Sequence, residues 1–349
     1  VYNSAKYAFG GSLNNGLAIT SISNNLLEWE STAITNIGID FATLRNRLTF
    51  EAEFYNKVTD GILYRPDMYM SLGTASGPRQ NIAEVTNRGI EMTLNWQDRI
   101  GKVEYRVSGN FAYNQNKVSK YKGELQRGWV TDENVNRIYQ SNIGDVSTGG
   151  STRVLEGKMI NEYYMLQPYK GNGNGFNADG TVNINGGPRD GMIRTVDDMK
   201  WLNAMVGAGY KFYPRQNVSK SGIWYGDYIY ADLNGDGVYG NDADNEFQGC
   251  SNVPMYNFGL QASANWKGFD FSMNWSGAAG FKIYYYRLAL NSSATIKGYA
   301  IGEAIANDHY FFDPKNPNDP RTNLSSKNPR LTNNSGNDQS GMTQSSVHL

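Results

Sequence analysis

One short acidic loop has the residue types and spacing of a cation site. From Asp232 to Val238, oxygen-bearing side chains stand at the first, third and fifth positions, the latter two being Asn234 and Asp236. Alternate oxygen donors can converge on a hard cation, Gly237 at the sixth position permits a sharp bend, and the seventh residue offers its carbonyl oxygen. The spacing therefore matches the first half of a calcium-binding loop.

The second half of the pattern is less regular. A complete calcium loop has an acid at its twelfth position, where this chain has Ala243. Acids flank that position, and an inserted residue could bring one of them to the cation. We predict a structural divalent ion, calcium rather than magnesium, with the ligands Asp232, Asn234, Asp236, Val238, Asp242 and Asp244. The alternative is a turn in which the same side chains cap their own backbone.

Catalytic groupings are weak elsewhere in the chain. The two histidines, His309 and His348, have no nucleophile or metal-ligand partner at a recognisable spacing. The glycine-rich run 171–175 lacks the Lys and Ser/Thr of a phosphate-binding loop. Glu51 and Glu53 lie on the same face of one strand. A hydrated wall explains two carboxylates there more simply than a catalytic acid/base pair does. We therefore predict that the protein is not an enzyme.

Six runs in which apolar and polar residues alternate organise the rest of the chain. Alternation with period two is typical of strands with one dry and one wet face. The runs form three hairpins with short turns, each followed by a long polar loop: Ala33–Phe41 with Leu48–Phe54, Ile90–Gln97 with Val103–Phe111, and Tyr256–Trp266 with Phe269–Trp275.

Three properties favour a membrane barrel over a soluble β-sandwich. The runs approach the roughly 9 to 11 residues that a tilted strand needs to cross a bilayer. Aromatic residues lie near run ends, where interfacial girdles form: Trp96, Tyr113, Trp266 and Trp275. Short turns would lie on one side of the membrane and long loops on the other. We predict an all-β, antiparallel transmembrane β-barrel, present in part, with short periplasmic turns and long extracellular loops.

Composition narrows the function classes. The 349 residues carry a formal net charge of −1, so a phosphate-binding surface for nucleic acid is not expected. A single cysteine, Cys250, excludes an intramolecular disulfide. The start of the chain has no signal-peptide pattern, and we interpret the sequence as an internal piece of a longer protein.

Several motifs, in order, resemble those of SusC/RagA-like TonB-dependent outer-membrane transporters. The resemblance covers nearly the whole chain and is carried by Asn24–Glu30 with Thr35–Phe41, Asn87–Leu94, Leu155–Tyr164, Gly226–Gly237, Tyr256–Leu260 and Trp266–Ser272. It implies that residues 1–349 are central-to-late barrel strands and extracellular loops, and that the plug and amino-terminal domains are absent from this chain.

The resemblance also implies a function for the complete protein. That function is import of a large nutrient, an oligosaccharide or a peptide, with a SusD-like surface lipoprotein as a lid on the loops. The TonB complex would act through parts absent from this chain, and outer-membrane lipid would surround the barrel. Two alternatives stay open: a soluble or surface-exposed calcium-stabilised β-rich glycan-binding module, and an outer-membrane receptor that signals without importing.

The long loops hold the candidate contact surface. We place loops at about Thr59 to Thr86, at 117–253 and after Gly277, with one short helix beginning near Thr195 and another around 302–307. Thr195 and Asp198 fit a capping box. Most loop aromatics are assigned to packing or partner contact and a minority to substrate. The candidates for substrate or partner contact are Tyr69, Trp129, Tyr163, Tyr164, Tyr169, Trp224 and Tyr225.

Overall fold

The computed structural model describes residues 2–19, 24–64, 78–121, 126–131, 137–141, 152–283 and 303–331. Six long strands form the main sheet: β3 (Ser31–Thr43), β4 (Leu48–Tyr64), β5 (Gln80–Ile100), β6 (Val103–Lys120), β14 (Tyr256–Trp266) and β15 (Phe269–Ala279). An amino-terminal hairpin pairs β1 (Tyr2–Phe9) with β2 (Ser12–Ile19). Short strands lie between the long ones: β7 (Arg127–Thr131), β8 (Arg137–Ser141), β9 (Thr152–Arg153), β10 (Glu162–Met165), β11 (Lys211–Phe212), β12 (Val238–Tyr239) and β13 (Glu246–Phe247).

All three predicted hairpins are present and join in one antiparallel sheet. The strand order is β15-β14-β6-β5-β4-β3, so β14 crosses the intervening sequence to pair with β6. Each predicted turn connects two neighbours in this order. The order confirms a meander of long strands, the arrangement predicted for part of a barrel.

The register places the apolar stripes of all six strands on one face. One row of directly opposed residues runs Ile39, Ala52, Met92, Phe111 and Phe258 from β3 to β14. Because side chains alternate across a strand, a slip of one residue would turn an entire stripe to the other face. The continuous apolar face is what a lipid-facing barrel wall requires.

The opposite face is polar along the same strands. Glu53 of β4 stands directly opposite Glu91 of β5, and Asn110 of β6 stands opposite Gly259 of β14. Like charges directly opposite each other destabilise a sheet unless water solvates them. This face therefore fits the hydrated wall that the sequence predicted for Glu51 and its neighbours.

The long strands extend beyond the predicted runs. Strand β4 continues to Tyr64 and β5 begins at Gln80, so the first loop is shorter than the predicted span of Thr59 to Thr86. Strand β6 continues to Lys120, into the region predicted as loop from residue 117. Tyr69 lies outside the described residues. In these extensions apolar residues no longer keep to one face, as the consecutive Ile62, Leu63 and Tyr64 of β4 show, so alternation no longer marks where pairing stops.

Two helices lie in the regions predicted for them. The first, α1 (Val196–Gly207), begins with the predicted capping box, in which the Thr195 hydroxyl accepts from the Asp198 backbone N–H and the Asp198 carboxylate accepts from the Thr195 N–H. The second, α2 (Glu303–Asn307), is a single short turn. Neither has the length and apolar content that a membrane-crossing helix needs, and the described residues contain no other α-helix.

Candidate functional site

Two long loops fold together into one body with its own hydrophobic core. We call residues 163–250 and 305–331 the loop body. Its core combines side chains from α1, from the segment 223–230 and from the last described segment: Met199, Trp201, Leu202, Met205, Ile223, Tyr228, Ile229, Tyr230 and Tyr310. A loop this long is expected to be functional or internally structured, and this one is internally structured.

Helix α1 contributes the largest side chain of this core. Trp201 is fully buried, its ring stacks on Tyr169 with 5.2 Å between centroids, and its indole N–H donates to the Asn183 carbonyl at 2.8 Å. Gly187 has a φ of +70°, and a Cβ there would lie 2.5 Å from the indole ring. The glycine therefore permits both the backbone conformation and the close approach to Trp201.

Polar contacts attach the last described segment to this core. The Tyr310 hydroxyl donates to the Arg194 carbonyl at 2.5 Å. The Arg194 guanidinium in turn donates to the carbonyls of Leu324 and Ser326 at 2.6 and 2.8 Å. Burial raises the pKa of Tyr310 above its usual value, so this hydroxyl keeps its proton and stays a donor. These contacts join residues more than a hundred positions apart into one unit.

A buried ion pair completes the fastening. The Arg330 guanidinium donates through Nε and Nη2 to both oxygens of Asp227, each at 2.8 Å. Asp227 is fully buried and also accepts from the Trp224 backbone N–H at 2.8 Å. Arg330 further donates to the carbonyls of Lys220 and Gly222 at 3.0 and 3.2 Å. A two-point, fully hydrogen-bonded pair of this kind fixes geometry as well as charge.

Backbone hydrogen bonds attach the following chain to the end of β6. The Val118 N–H donates to the Lys158 carbonyl at 2.9 Å, and the Gly157 N–H donates back to Val118 at 2.8 Å. The Ile160 N–H donates to the Asn116 side-chain oxygen at 2.7 Å. Residues 157–160, which lead into the loop body, are therefore attached to the end of β6 at the long-loop side of the sheet, opposite the short turns.

The acidic loop 232–244 closes through its own hydrogen bonds. Asp232 accepts from the backbone N–H groups of Gly235, Asp236 and Gly237 at 2.7 to 3.2 Å. Asn234 accepts from the Asp236 N–H at 2.9 Å, and Asp236 accepts from the Val238 N–H at 2.7 Å. This is the geometry of the capped-turn alternative.

The remaining predicted calcium ligands divide between the interior and the surface. Asp244 is fully buried and accepts from the N–H groups of Leu233, Gly240 and Asn241, while burial raises its pKa to about 6. Asp242 is exposed. Among the described residues, no group of three or more His, Cys, Asp or Glu side chains is arranged to hold a metal ion. Calcium binding by this loop stays a prediction.

The predicted contact aromatics occupy different environments. Tyr163, Tyr164, Tyr169 and Tyr225 are buried in this chain, with 5 to 7% of their surface exposed. In this chain their rings therefore pack within the loop body, and contact of these residues with substrate or a partner stays a prediction. Trp129 of β7 is partly exposed and donates from its indole N–H to the Asn234 carbonyl at 3.0 Å.

Trp224 is partly exposed and borders a cavity of about 690 Å³ at the seam between the two loops. We call this cavity the seam pocket. It is lined on one side by residues 220–225 and on the other by residues 307–331, and the Asp227–Arg330 pair lies beside it. Sequence reasoning missed Arg194, Asp227 and Arg330, because no local pattern marks partners so far apart.

Comparison with known proteins identifies the class of the fold. Residues 2–217 match the family model described as TonB dependent receptor-like, beta-barrel. The chain belongs to this family, whose members are outer-membrane β-barrels. The six-stranded sheet with one apolar face is accordingly part of such a barrel.

Individual relatives agree with this assignment. The chain is 26% identical over 284 residues to TonB-dependent receptor P39 of Formosa agariphila, covering 77% of this chain and 24% of that protein. It is 28% identical over 168 residues to TonB-dependent receptor SusC of Bacteroides thetaiotaomicron, covering 47% of this chain and 16% of that protein. The chain thus spans about a quarter or less of these relatives.

Solved structures show the same fold. The RagAB peptide importer in its open-open state matches with a TM-score of 0.58 and 16% identity, over 97% of this chain and 29% of that chain. Its closed-closed state matches with a TM-score of 0.55 and 17% identity, over 95% of this chain and 29% of that chain. The predicted SusC/RagA-like resemblance is confirmed.

Proposed function

We propose that the complete protein imports a large nutrient, an oligosaccharide or a peptide, across the outer membrane by TonB-driven transport. A SusD-like surface lipoprotein would cover the loop body, and the TonB complex would act through parts outside this chain. Membership of the receptor family supports the transport class. Similarity to SusC and to the fold of the RagAB peptide importer supports the pairing with a lipoprotein.

The folded loop body is the observation that carries this proposal. Two loops share one core and are fastened by Arg194 and by the Asp227–Arg330 pair. A preorganised surface loses less conformational entropy on binding than a flexible loop does. A rigid body above the barrel rim is therefore suited to docking a partner, with cargo held between the two.

The proposal is tested on the complete protein, extracted from native outer membranes in mild detergent. Mass spectrometry of what co-purifies should find a stoichiometric surface lipoprotein. Uptake of labelled glycan and peptide pools by cells with and without the gene then gives the cargo class. A protein that purifies alone, together with unchanged uptake in the deletion strain, would favour an unpartnered signalling receptor.

The proposed role is binding and transport without catalysis. The family is a transporter family rather than an enzyme class. A soluble glycan-binding module, the earlier alternative, does not suit a sheet with a continuous apolar face that belongs to a barrel family. The structural calcium ion predicted for the loop 232–244 remains a separate proposal, which does not affect the transport assignment.

A further inference from the structure

We propose that the outer surface of the barrel binds the phosphate group of an outer-leaflet lipid, at a site where Arg88 and Lys117 lie just above the apolar band. The site is on the lipid-facing side of the sheet and outside the loop body, so it does not depend on the nature of the cargo. The height of the apolar band, the position of the two cations and the contacts that they make support the inference.

The outward-facing residues of β6 measure the height of the apolar band. From Val103 to Tyr113 they cover roughly 33 Å of strand, at about 3.3 Å per residue. A strand tilt of about 40° reduces this length to a height of roughly 25 Å, which is the height of the apolar band on outer-membrane barrels. Tyr113 ends the band. Its ring lies 5.0 Å from the ring of Tyr256, its direct neighbour in β14, as in an interfacial aromatic girdle.

Two exposed cations follow the girdle on the same face. Toward the long loops, Arg88 is the next residue of β5 on the face that carries Ile90. Arg88 stands directly opposite Gln115 of β6, and Thr86 stands opposite Lys117. Arg88 and Lys117 are therefore diagonal neighbours, and long side chains at such positions can reach a common group. Because lipid headgroups begin where the apolar band ends, both cations lie at headgroup level.

Neither cation is paired with a carboxylate of the described residues. The Arg88 Nε donates to the Asn56 amide oxygen at 2.8 Å, which holds the guanidinium against the strand surface. Within the described parts of the chain, no group accepts from the two terminal nitrogens of Arg88 or from the Lys117 ammonium group. A planar guanidinium and an ammonium group side by side can hold phosphate oxygens through charge-assisted hydrogen bonds.

The two cations line one cavity on the outer face, with a volume of about 440 Å³. This volume lies within the roughly 300 to 1,000 Å³ of typical ligand sites. The cavity also has two carboxylates, which lie toward the long loops and have partners of their own. Glu84 pairs with Lys120 at 2.5 Å, and Glu156 accepts from the backbone N–H of residue 121 at 2.7 Å. The phosphate is therefore expected at the membrane end of the cavity, beside Arg88.

A lipid is the occupant that this position favours. Directly below the cations, the row Phe54, Ile90, Tyr113 and Tyr256 crosses four neighbouring strands on the apolar face. Acyl chains that pack on this row bring their headgroup to the level of Arg88. A free phosphate ion would gain only the contact with the cations, whereas a lipid gains that contact together with the apolar surface below it.

The test uses the complete transporter in mild detergent, stripped of bound lipid, with lipid binding measured by native mass spectrometry. The two probes are monophosphoryl lipid A and the same lipid after treatment with a phosphatase. We expect the phosphorylated lipid to bind at least about tenfold more tightly, because loss of a charge-assisted contact costs about that factor or more. Inorganic phosphate is the third probe and should bind far more weakly than the phosphorylated lipid.

Matched variants assign the binding to this site. The double variant Arg88→Gln with Lys117→Gln should remove the preference for the phosphorylated lipid. The charge-preserving double variant Arg88→Lys with Lys117→Arg should keep part of that preference. Lys102→Gln with Lys200→Gln removes the same amount of charge at two exposed positions outside the cavity, and should leave the preference unchanged. Heat-modifiable migration on gels shows that each variant keeps a folded barrel.

Three outcomes would overturn the inference. Two of them are equal affinity for the two lipids and a preference that survives the Gln double variant. The third is inorganic phosphate bound as tightly as the phosphorylated lipid, since the site would then recognise the ion alone. The comparison of the two lipids is made on the unaltered protein, so it decides the question even where a variant fails to fold.

Discussion

The buried Asp227–Arg330 pair offers the sharpest test of how the two loops are held together. Replacing Arg330 with Ala leaves the fully buried Asp227 carboxylate without its cation. Removing one partner of a buried pair costs about 3 to 5 kcal/mol, because the remaining charge is uncompensated. Arg330 is 14% exposed, so solvent screens this pair little.

Amide hydrogen exchange on the complete protein measures the loss. Where reclosing is faster than exchange, each 1.4 kcal/mol lost accelerates exchange about tenfold. We expect peptides from segments 222–230 and 308–330 to exchange about a hundredfold to several-thousandfold faster in Arg330→Ala. Peptides from β14 should be unchanged, since the strand lies outside the loop body.

Companion variants separate the ion pair from general disturbance. Arg330→Lys keeps the charge but loses the two-point contact, so its effect should be intermediate. The double variant Asp227→Asn with Arg330→Ala removes the stranded charge and should recover part of the loss. Arg321→Ala breaks an exposed pair and should have little effect. Equal effects of Arg330→Ala and Arg321→Ala, or a double variant worse than Arg330→Ala, would refute this reasoning.

Three further predictions concern the loop body. Gly187→Ala should open the core to proteolysis far more than Gly180→Ala, because both glycines have positive φ but only Gly187 lies against the buried indole; equal digestion would contradict this. Burial raises the pKa of Tyr169 and Tyr228 to about 12, above the value of about 10 in an unfolded chain. These two tyrosines therefore contribute their full stabilisation below about pH 10 and lose it as pH rises through about 12. The aromatic signal in near-ultraviolet circular dichroism should disappear in that window rather than below it. If the loop that begins at Asp232 binds calcium, added calcium should slow protease cutting of that loop and a chelator should reverse the effect. Identical digestion with and without calcium would mean that the loop is held by its capped turns alone.

The sequence predicted the strands where lipid imposes a pattern. Alternation located all six long runs because one face of each must be apolar, and the register of Ile39, Ala52 and Met92 shows the stripes aligned. The hairpin β1–β2 was missed, although Gly10-Gly11 between two short runs is a hairpin signal. Strand ends were predicted too short because pairing continues where the alternation breaks down, as at the consecutive Ile62, Leu63 and Tyr64 of β4.

The interior of the loop body was the hardest part to predict. A tyrosine on a long polar loop has the same local pattern whether it contacts a partner or packs a core, and Tyr163 and Tyr169 prove to be buried. The capping box at Thr195 was readable because its partners lie three residues apart. Asp227 and Arg330 lie 103 residues apart, so only the folded chain shows that they meet.

The contacts that join the two loops also affect how a barrel could respond to bound cargo. The loop body joins chain that follows β6 to chain that follows β15, and the hairpin β14–β15 lies between these attachments in the sequence. A molecule in the seam pocket therefore contacts both loops, since each loop lines one side of it. If Arg330→Ala frees segment 308–330 while segment 222–230 stays protected, the two loops respond separately. If both segments loosen together, the loop body is one mechanical unit, and a ligand held at its seam acts on both loops at once.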